Sequence, residues 1–304
     1  MSTALHRHGA RVTAAALALA TTLAGAATAT ARDGHGDRAP HPVEVSIGTD
    51  GIHAPRTAEA GLVAFHVTTD DRQAGHFVQA FRPRHGVTLT KVLADLTKAV
   101  NETDPAVAAQ GINAVNRDAE LFGGAQVTHA VPETFTTPIG AGPVYLLDFG
   151  AFLADQSHPV VRRLELTGKR AKDGDRDLAD FPDGIVITKE TSAGPRFDVN
   201  GVHRAKDNIL VHNASDEIHE MELQSVPAGT TDAQIQAFFD NPSGPPPFAG
   251  RPTYGLGAIS PGRTALLQAH HLPKGTYVLL CFVPDDETGA PHAFEGMHKV
   301  VVLS

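Results

Sequence analysis

The 304-residue chain has a single cysteine, Cys281, no tryptophan and only three tyrosines. One thiol cannot form a disulfide within the chain, so Cys281 must serve in packing, in metal binding or as a reactive group. The formal net charge of −9 makes nucleic acid an unfavourable partner, because the phosphate backbone is also negative. Apart from one apolar stretch near the start, no run of about twenty apolar residues occurs. We therefore expect no stable membrane insertion.

That apolar stretch has the composition of an export signal. It follows Arg7 and Arg11, it is rich in alanine, and small residues follow it at ATATA. A basic start, a short apolar segment and small residues at the cleavage position are typical of a secretory signal peptide. We predict a cleaved signal at 1–31, a disordered start of the mature chain at 32–42, and secretion to the extracellular space or the cell envelope.

An internal repeat occupies most of the remaining chain. Residues 123–149 align without a gap with residues 256–282, and an upstream pair of similar segments places His76 opposite His219. The same elements follow in the same order in both copies. The repeat predicts a duplicated domain.

Short strands dominate both copies. Strands of this length bounded by Gly, Pro, Asn or Asp predict a β-sandwich or a small barrel, with helices inserted at 88–100 and after Thr231. We therefore predict an all-β chain with domains at 43–166 and 184–304, joined by a polar linker at 167–183. The strand-like segments are VEVSI, LVAFHV, PVYLLDF and RRLEL in the first copy and GIVIT, NILVHN, TYVLLCF and HKVVVL in the second.

The second copy contains a set of metal ligands. His292 follows Cys281 after ten residues, Met297 follows after four more, and His219 lies at the end of another strand. Two imidazoles, one thiolate and a weak axial thioether form the ligand set of a mononuclear blue-copper site. We predict one copper ion per chain on these four residues. Zinc is an alternative for the cysteine and the histidines, and a further alternative is that Cys281 and Met297 only pack in the core.

With these residues in place, the second copy resembles the cupredoxin family, the blue-copper β-sandwiches that include plastocyanin and azurin. The N-x5-H stretch NASDEIH and the C-x10-H-x4-M stretch ending in GMHKVVV carry the resemblance, which covers residues of about 184–304. It implies Greek-key β-sandwich domains and a type 1 copper site. By the same analogy Asn213 would help to hold the two ligand loops together, and His292 would present an exposed edge for electron exit.

The first copy lacks the blue-copper ligands. Asp148 stands where the alignment places Cys281, and no methionine follows it. Two interpretations remain: a second, hard metal site formed by His76, Asp148 and His158, or a degenerate copy that serves as a scaffold or docking surface.

The sequence favours a function without catalysis. The resemblance to cupredoxins implies that a trinuclear copper cluster would need histidines beside the cysteine, but the neighbours of Cys281 are Leu280 and Phe282. Three functions remain: one-electron transfer with a redox partner protein, copper delivery or tolerance, and a copper-less structural module. The acidic run at 285–287 would favour a basic partner surface, although such a run is also typical of a solvated loop.

Overall fold

The structure, a computed structural model, describes residues 42–168 and 182–304. The predicted signal peptide (1–31), nearly all of the predicted disordered start (32–42) and most of the predicted linker (167–183) lie outside these residues. No helix in the described ranges is long and apolar enough to cross a membrane.

Strands are the main elements of the described chain. In chain order they are β1 (Val43–Gly48), β2 (Gly51–His53), β3 (Thr57–Glu59), β4 (Gly61–Thr68), β5 (His76–Pro83), β6 (Ala119–Val127), β7 (Glu133–Ile139), β8 (Gly142–Asp148), β9 (Val161–Thr167), β10 (Gly184–Thr191), β11 (Gly194–Asn200), β12 (Ile209–Asn213), β13 (His219–Val226), β14 (Thr253–Ile259), β15 (Thr264–Ala269), β16 (Gly275–Leu280) and β17 (His298–Leu303). The helices are α1 (Leu89–Ala99), α2 (Pro105–Asp118), α3 (Phe149–Ala154) and α4 (Asp232–Asp240).

The strands form two sheets, which confirms the predicted all-β sandwich with short inserted helices. One sheet has the order β11-β10-β12-β15-β7-β4-β1-β2, and the other has the order β17-β16-β13-β14-β6-β5-β8-β9-β3. Side chains alternate between core and solvent along β1, where Val43, Val45 and Ile47 are buried. One hydrophobic cluster contains residues of both sheets and of both halves of the chain.

The second half repeats the strand pairing of the first. β1 pairs antiparallel with β2 and parallel with β4, and β10 pairs in the same way with β11 and β12. In the other sheet β5 lies between β6 and β8, while β13 lies between β14 and β16. Both sheets continue from one half into the other, and the division into domains at 43–166 and 184–304 stays a prediction.

The halves meet along two antiparallel strand pairs, β6 with β14 and β7 with β15. Two buried side chains strengthen this junction. The Gln79 amide donates to the Ala258 carbonyl oxygen at 3.0 Å and accepts from the Ala258 N–H at 2.8 Å. The Glu133 carboxylate accepts from the Gly255 N–H at 2.9 Å. These contacts replace ladder hydrogen bonds where β6 and β14 share few paired residues.

Helices are inserted at matching places in both halves. The predicted helix at 88–100 is confirmed as α1, and Thr231 forms a capping box with Gln234 at the start of α4. The sequence reasoning missed α2 and α3. The signal for α2 was present, because Asp104 caps its first turn and Pro105 occupies its first position.

Gly111 allows α1 and α2 to approach closely. A Cβ atom at this position would collide with the backbone of α1 at Lys98 and Ala99. We expect Gly111→Ala to lower the free energy of unfolding by about 1–3 kcal/mol, despite the higher helix propensity of alanine, because the helices must separate. Denaturant unfolding checks this, with Gly140→Ala as the control, since a Cβ atom at Gly140 meets nothing within 4 Å. Equal stability of the two variants would contradict the expectation.

Candidate metal centre

Three of the predicted ligands converge in one buried place. His219 begins β13, Cys281 follows β16, and His292 lies in the loop between β16 and β17. The Cys281 Sγ atom is 3.8 Å from His219 Nδ1 and 3.4 Å from His292 Nδ1, and the two Nδ1 atoms are 3.1 Å apart. All three side chains are fully buried. A β-bulge between His219 and Met221 turns the strand at the first ligand.

These separations suit a small metal ion. Bonds of about 2.0 Å to nitrogen and about 2.3 Å to sulfur place three trigonal donors roughly 3.5–3.8 Å apart. The observed distances of 3.1, 3.4 and 3.8 Å lie close to that range. Imidazole and thiolate together are the donor types that copper and zinc prefer.

The tautomers of the two imidazole rings also indicate that a cation binds between them. His292 Nε2 bonds to the Glu217 carboxylate at 3.0 Å, so that nitrogen carries the proton and His292 Nδ1 carries a lone pair. The buried His219 Nε2 atom lies 3.5 Å from the Glu190 carboxylate, so a proton on Nδ1 instead would turn a bare lone pair toward that negative charge. A proton on His219 Nε2 would leave two lone pairs facing each other at 3.1 Å. A cation between the two Nδ1 atoms and the sulfur removes this repulsion between the lone pairs, and simple core packing does not.

Burial controls the charge of the thiol. It raises the pKa of Cys281 well above the ordinary value, and the nearby Glu220 carboxylate acts in the same direction. The sulfur therefore keeps its proton until a cation binds beside it, and metal binding must release that proton.

Met297 is fully buried and lies directly before β17. Its N–H donates to the His292 carbonyl oxygen at 2.9 Å, so a tight turn joins these two residues. Elsewhere in the loop, Ala293 N–H donates to the Cys281 carbonyl oxygen at 2.8 Å. The role of Met297 as the axial ligand stays a prediction.

Glu217 is the residue of the site that sequence reasoning missed. Its carboxylate accepts from His292 Nε2 at 3.0 Å and from the Asp286 N–H at 3.3 Å. Its carbonyl oxygen accepts from Asn213 Nδ2 at 2.7 Å. A carboxylate on the outer nitrogen of a ligand histidine fixes both the tautomer and the ring orientation. The only available signal was the position of Glu217 inside the N-x5-H stretch.

Asn213 fixes the loop that precedes His219. Its Oδ1 atom accepts from Thr188 Oγ1 at 3.0 Å and from the Ser215 N–H at 3.0 Å, while Nδ2 also donates to the Ile259 carbonyl oxygen at 3.1 Å. None of the hydrogen bonds that Asn213 forms with described residues reaches the loop after Cys281. The expectation that Asn213 helps to hold the two ligand loops together stays a prediction, and in the structure Asn213 and Glu217 connect these loops in series.

The expected exposed edge of His292 is absent. The side chain is fully buried, because Glu217 covers Nε2 and α2 of the first half lies over both ligand loops. Asn116 Nδ2 donates to the Asp216 carbonyl oxygen at 3.0 Å, and Asn113 Nδ2 donates to the Asp286 carbonyl oxygen at 2.6 Å. This enclosure comes from a helix that sequence reasoning did not predict.

The register confirms the alignment of Asp148 with Cys281. Leu147 pairs with Gln79, three residues after His76, and Leu280 pairs with Glu222, three residues after His219. Asp148 and Cys281 directly follow these two leucines and therefore occupy equivalent positions in the two halves.

The first half does not bring its three candidate ligands together. Asp148 Oδ1 caps α3 by accepting from the Ala151 N–H at 2.9 Å. His76 pairs instead with Asp71 at 3.2 Å, and His158 pairs with Asp155 at 2.8 Å. These three residues form no metal-ligating group in the described ranges, where the convergent groups contain His292 and its neighbours.

Burial raises the pKa of Glu220, which directly follows His219, to about 8 from an ordinary value of 4.5. The folded state therefore holds a proton that the unfolded chain releases, so the free energy of unfolding falls as the pH rises from 4.5 to about 8. We expect Glu220→Gln to reduce this fall by about 1–3 kcal/mol in the metal-free protein. Denaturant unfolding across this pH range tests it, with the exposed Glu287→Gln as the control. If the free energy of unfolding of Glu220→Gln fell as much over this pH range as that of the unchanged protein, Glu220 would not be the titrating group.

No protein-family model and no curated protein matches the chain. Among solved structures, auracyanin from the photosynthetic bacterium Roseiflexus castenholzii matches with 16% identity, 40% of this chain and 94% of that chain covered, and a TM-score of 0.25. Rusticyanin from Thiobacillus ferrooxidans matches with 15% identity, 40% of this chain and 76% of that chain covered, and a TM-score of 0.23. Because these values are low, the resemblance of the chain to cupredoxins rests on its own two sheets and on the convergence of His219, Cys281 and His292.

Proposed function

We propose that the chain is an exported copper protein that transfers one electron at a time through a single type 1 site. His219, Cys281 and His292 would be the equatorial ligands, and Met297 would be the weak axial ligand. The observation that carries the proposal is the convergence of two imidazole Nδ1 atoms on one buried sulfur, at 3.4 and 3.8 Å.

The protein supplies a dry and fixed set of ligands. When bound, copper supplies the change between Cu(I) and Cu(II). Full burial of His219, Cys281 and His292 excludes water from the donors. The hydrogen bonds of Asn213 and Glu217 restrict the movement of the loop before His219 and of the loop that carries His292. A site that moves little between oxidation states favours rapid one-electron transfer.

One copper ion per chain agrees with the contrast between the halves. Asp148, the counterpart of Cys281, is used as a helix cap in the first half. The repeated strand pairing supports the duplication of one ancestral unit, after which a single copy kept the ligands. The first half would then serve as a scaffold that encloses the site.

Export, the partner and the absence of catalysis are parts of the same proposal. The predicted signal peptide supports secretion, and a secreted electron carrier requires a redox partner protein. The Asp285 carboxylate accepts hydrogen bonds from the N–H groups of Glu287 and Thr288 inside its own turn. The acidic run at 285–287 therefore gives only weak support to a basic partner.

Copper delivery or tolerance is the second candidate, and the burial of His292 favours it. Without an exposed imidazole edge, electrons exchange less readily with a partner protein, while a bound ion is well protected. Rapid reduction and reoxidation of the copper-loaded protein by small inorganic complexes would favour electron transfer. Slow electron exchange together with very tight copper binding would favour copper delivery or tolerance.

Cys281→Ser tests the proposed site. The Cu(II)-loaded protein is expected to show an intense visible band from thiolate-to-copper charge transfer, and the variant should lose it while its circular dichroism persists. Ala293→Ser is the matched control, because it also places a hydroxyl at a fully buried position in the same loop. Such a hydroxyl costs about 1–3 kcal/mol in either variant. Retention of the band or of full copper affinity in Cys281→Ser would exclude the site.

Met297→Leu tests the axial ligand. Copper should stay bound, while the reduction potential should rise because Cu(II) loses a sulfur donor. Met221→Leu is the control, since Met221 is equally buried and lies on β13 outside the ligand loop. Voltammetry of the two copper-loaded variants measures the difference. Equal potentials in both would remove Met297 from the ligand set.

A further inference from the structure

A cavity of about 720 Å³ lies on the face of the nine-stranded sheet that is opposite the metal centre. On β13 the alternation of side chains directs His219 to the metal centre and places Glu220 and Glu222 in the cavity lining. Helices α1, α2 and α3 and the loop after Cys281 supply the other walls. The volume is within the usual range for sites that bind small molecules.

The walls of the cavity are mainly apolar. Phenylalanine rings from both halves line it, including Phe77 and Phe149, which pack edge to face with centroids 5.1 Å apart. Leu153 and Phe294 also line it and are 49% and 41% exposed. Only four large hydrophobic side chains in the described residues are exposed, so half of them lie at this cavity. Such a boundary suits the entry of an apolar molecule.

The charged part of the lining is acidic and has no positive partner. Glu102, Glu220 and Glu222 line the cavity, and no lysine, arginine or histidine of the described chain does so. The carboxylates at Glu220 and Glu222 are nearly enclosed, and a buried carboxylate without a cation is costly.

Glu220 has free capacity to bind a ligand. One of its carboxylate oxygens accepts from the Phe282 N–H at 2.9 Å. The other oxygen accepts no hydrogen bond from any residue in the described ranges, although the side chain is only 6% exposed. By contrast, both oxygens of Glu222 accept amide N–H donors, from Gln126 at 2.9 Å and from Gln224 at 2.7 Å.

We propose that this cavity binds a small organic cation, an amine with an aromatic or alicyclic body. The ammonium group would donate to Glu220 and lie near Glu222, and the body would pack among the phenylalanine rings, whose faces also attract cations. An anion of the same shape would be repelled by the glutamates. A neutral alcohol could donate one hydrogen bond but would leave the carboxylate charge without compensation.

Isothermal titration calorimetry on the metal-free protein tests the proposal independently of copper. The probes, used at about pH 9 so that Glu220 is ionised, are 2-phenylethylamine, which is still a cation there, the neutral 2-phenylethanol and the anionic 3-phenylpropionate. We expect the amine to bind about tenfold more tightly than the alcohol, and the anion not to bind. Equal affinity for amine and alcohol, or no binding of the amine at millimolar concentration, would overturn the proposal.

Variants locate the bound amine. Glu220→Gln keeps the acceptor for the Phe282 N–H and should weaken amine binding about tenfold, whereas Glu287→Gln on the outer side of the loop should not change it. Ala108→Phe, which fills the cavity from α2, should abolish binding of the amine. Circular dichroism confirms that each variant is folded. Unchanged affinity in both Glu220→Gln and Ala108→Phe would place the amine elsewhere and refute the site.

Discussion

The pairing of β6 with β14 and of β7 with β15 is the contact on which the rest of the structure depends. Without it, each half would expose the edges of two sheets, which proteins rarely leave open. Gln79 and Glu133 add buried hydrogen bonds across the same junction. Because the sheets are continuous, the halves share one core. The helices of the first half are thereby held over the loops of the second.

In this arrangement, one half carries the proposed ligands of the metal centre and the other half covers them. All the proposed ligands belong to the second half, while α2 of the first half covers the loops that carry His219 and His292. Helices α1, α2 and α3 of the first half also cover the acidic cavity on the opposite face of the sheet. A half without ligands of its own thus determines how solvent and small molecules reach both sites.

Much of this could be predicted from sequence, because strand alternation and ligand spacing are local patterns. The eight segments identified as strands and the group of His219, Cys281 and His292 followed from such patterns. Glu217 was missed because it acts only after the Cys281 loop folds against it. The burial of His292 depends on a helix from the other half, although Asp104 signalled where that helix starts. The cavity exists only when helices pack over the sheet, and no linear pattern records that packing.

The contact between Gly289 and Pro105 has a consequence for how this chain can change over generations. Gly289 has a φ of 71° and lies so close to α2 that a Cβ atom would collide with the Pro105 carbonyl oxygen. A longer or bulkier loop therefore requires a compensating change at the start of a helix far away in the sequence. Changes in the two halves are therefore coupled here, and the half without the proposed ligands is constrained by the half that carries them.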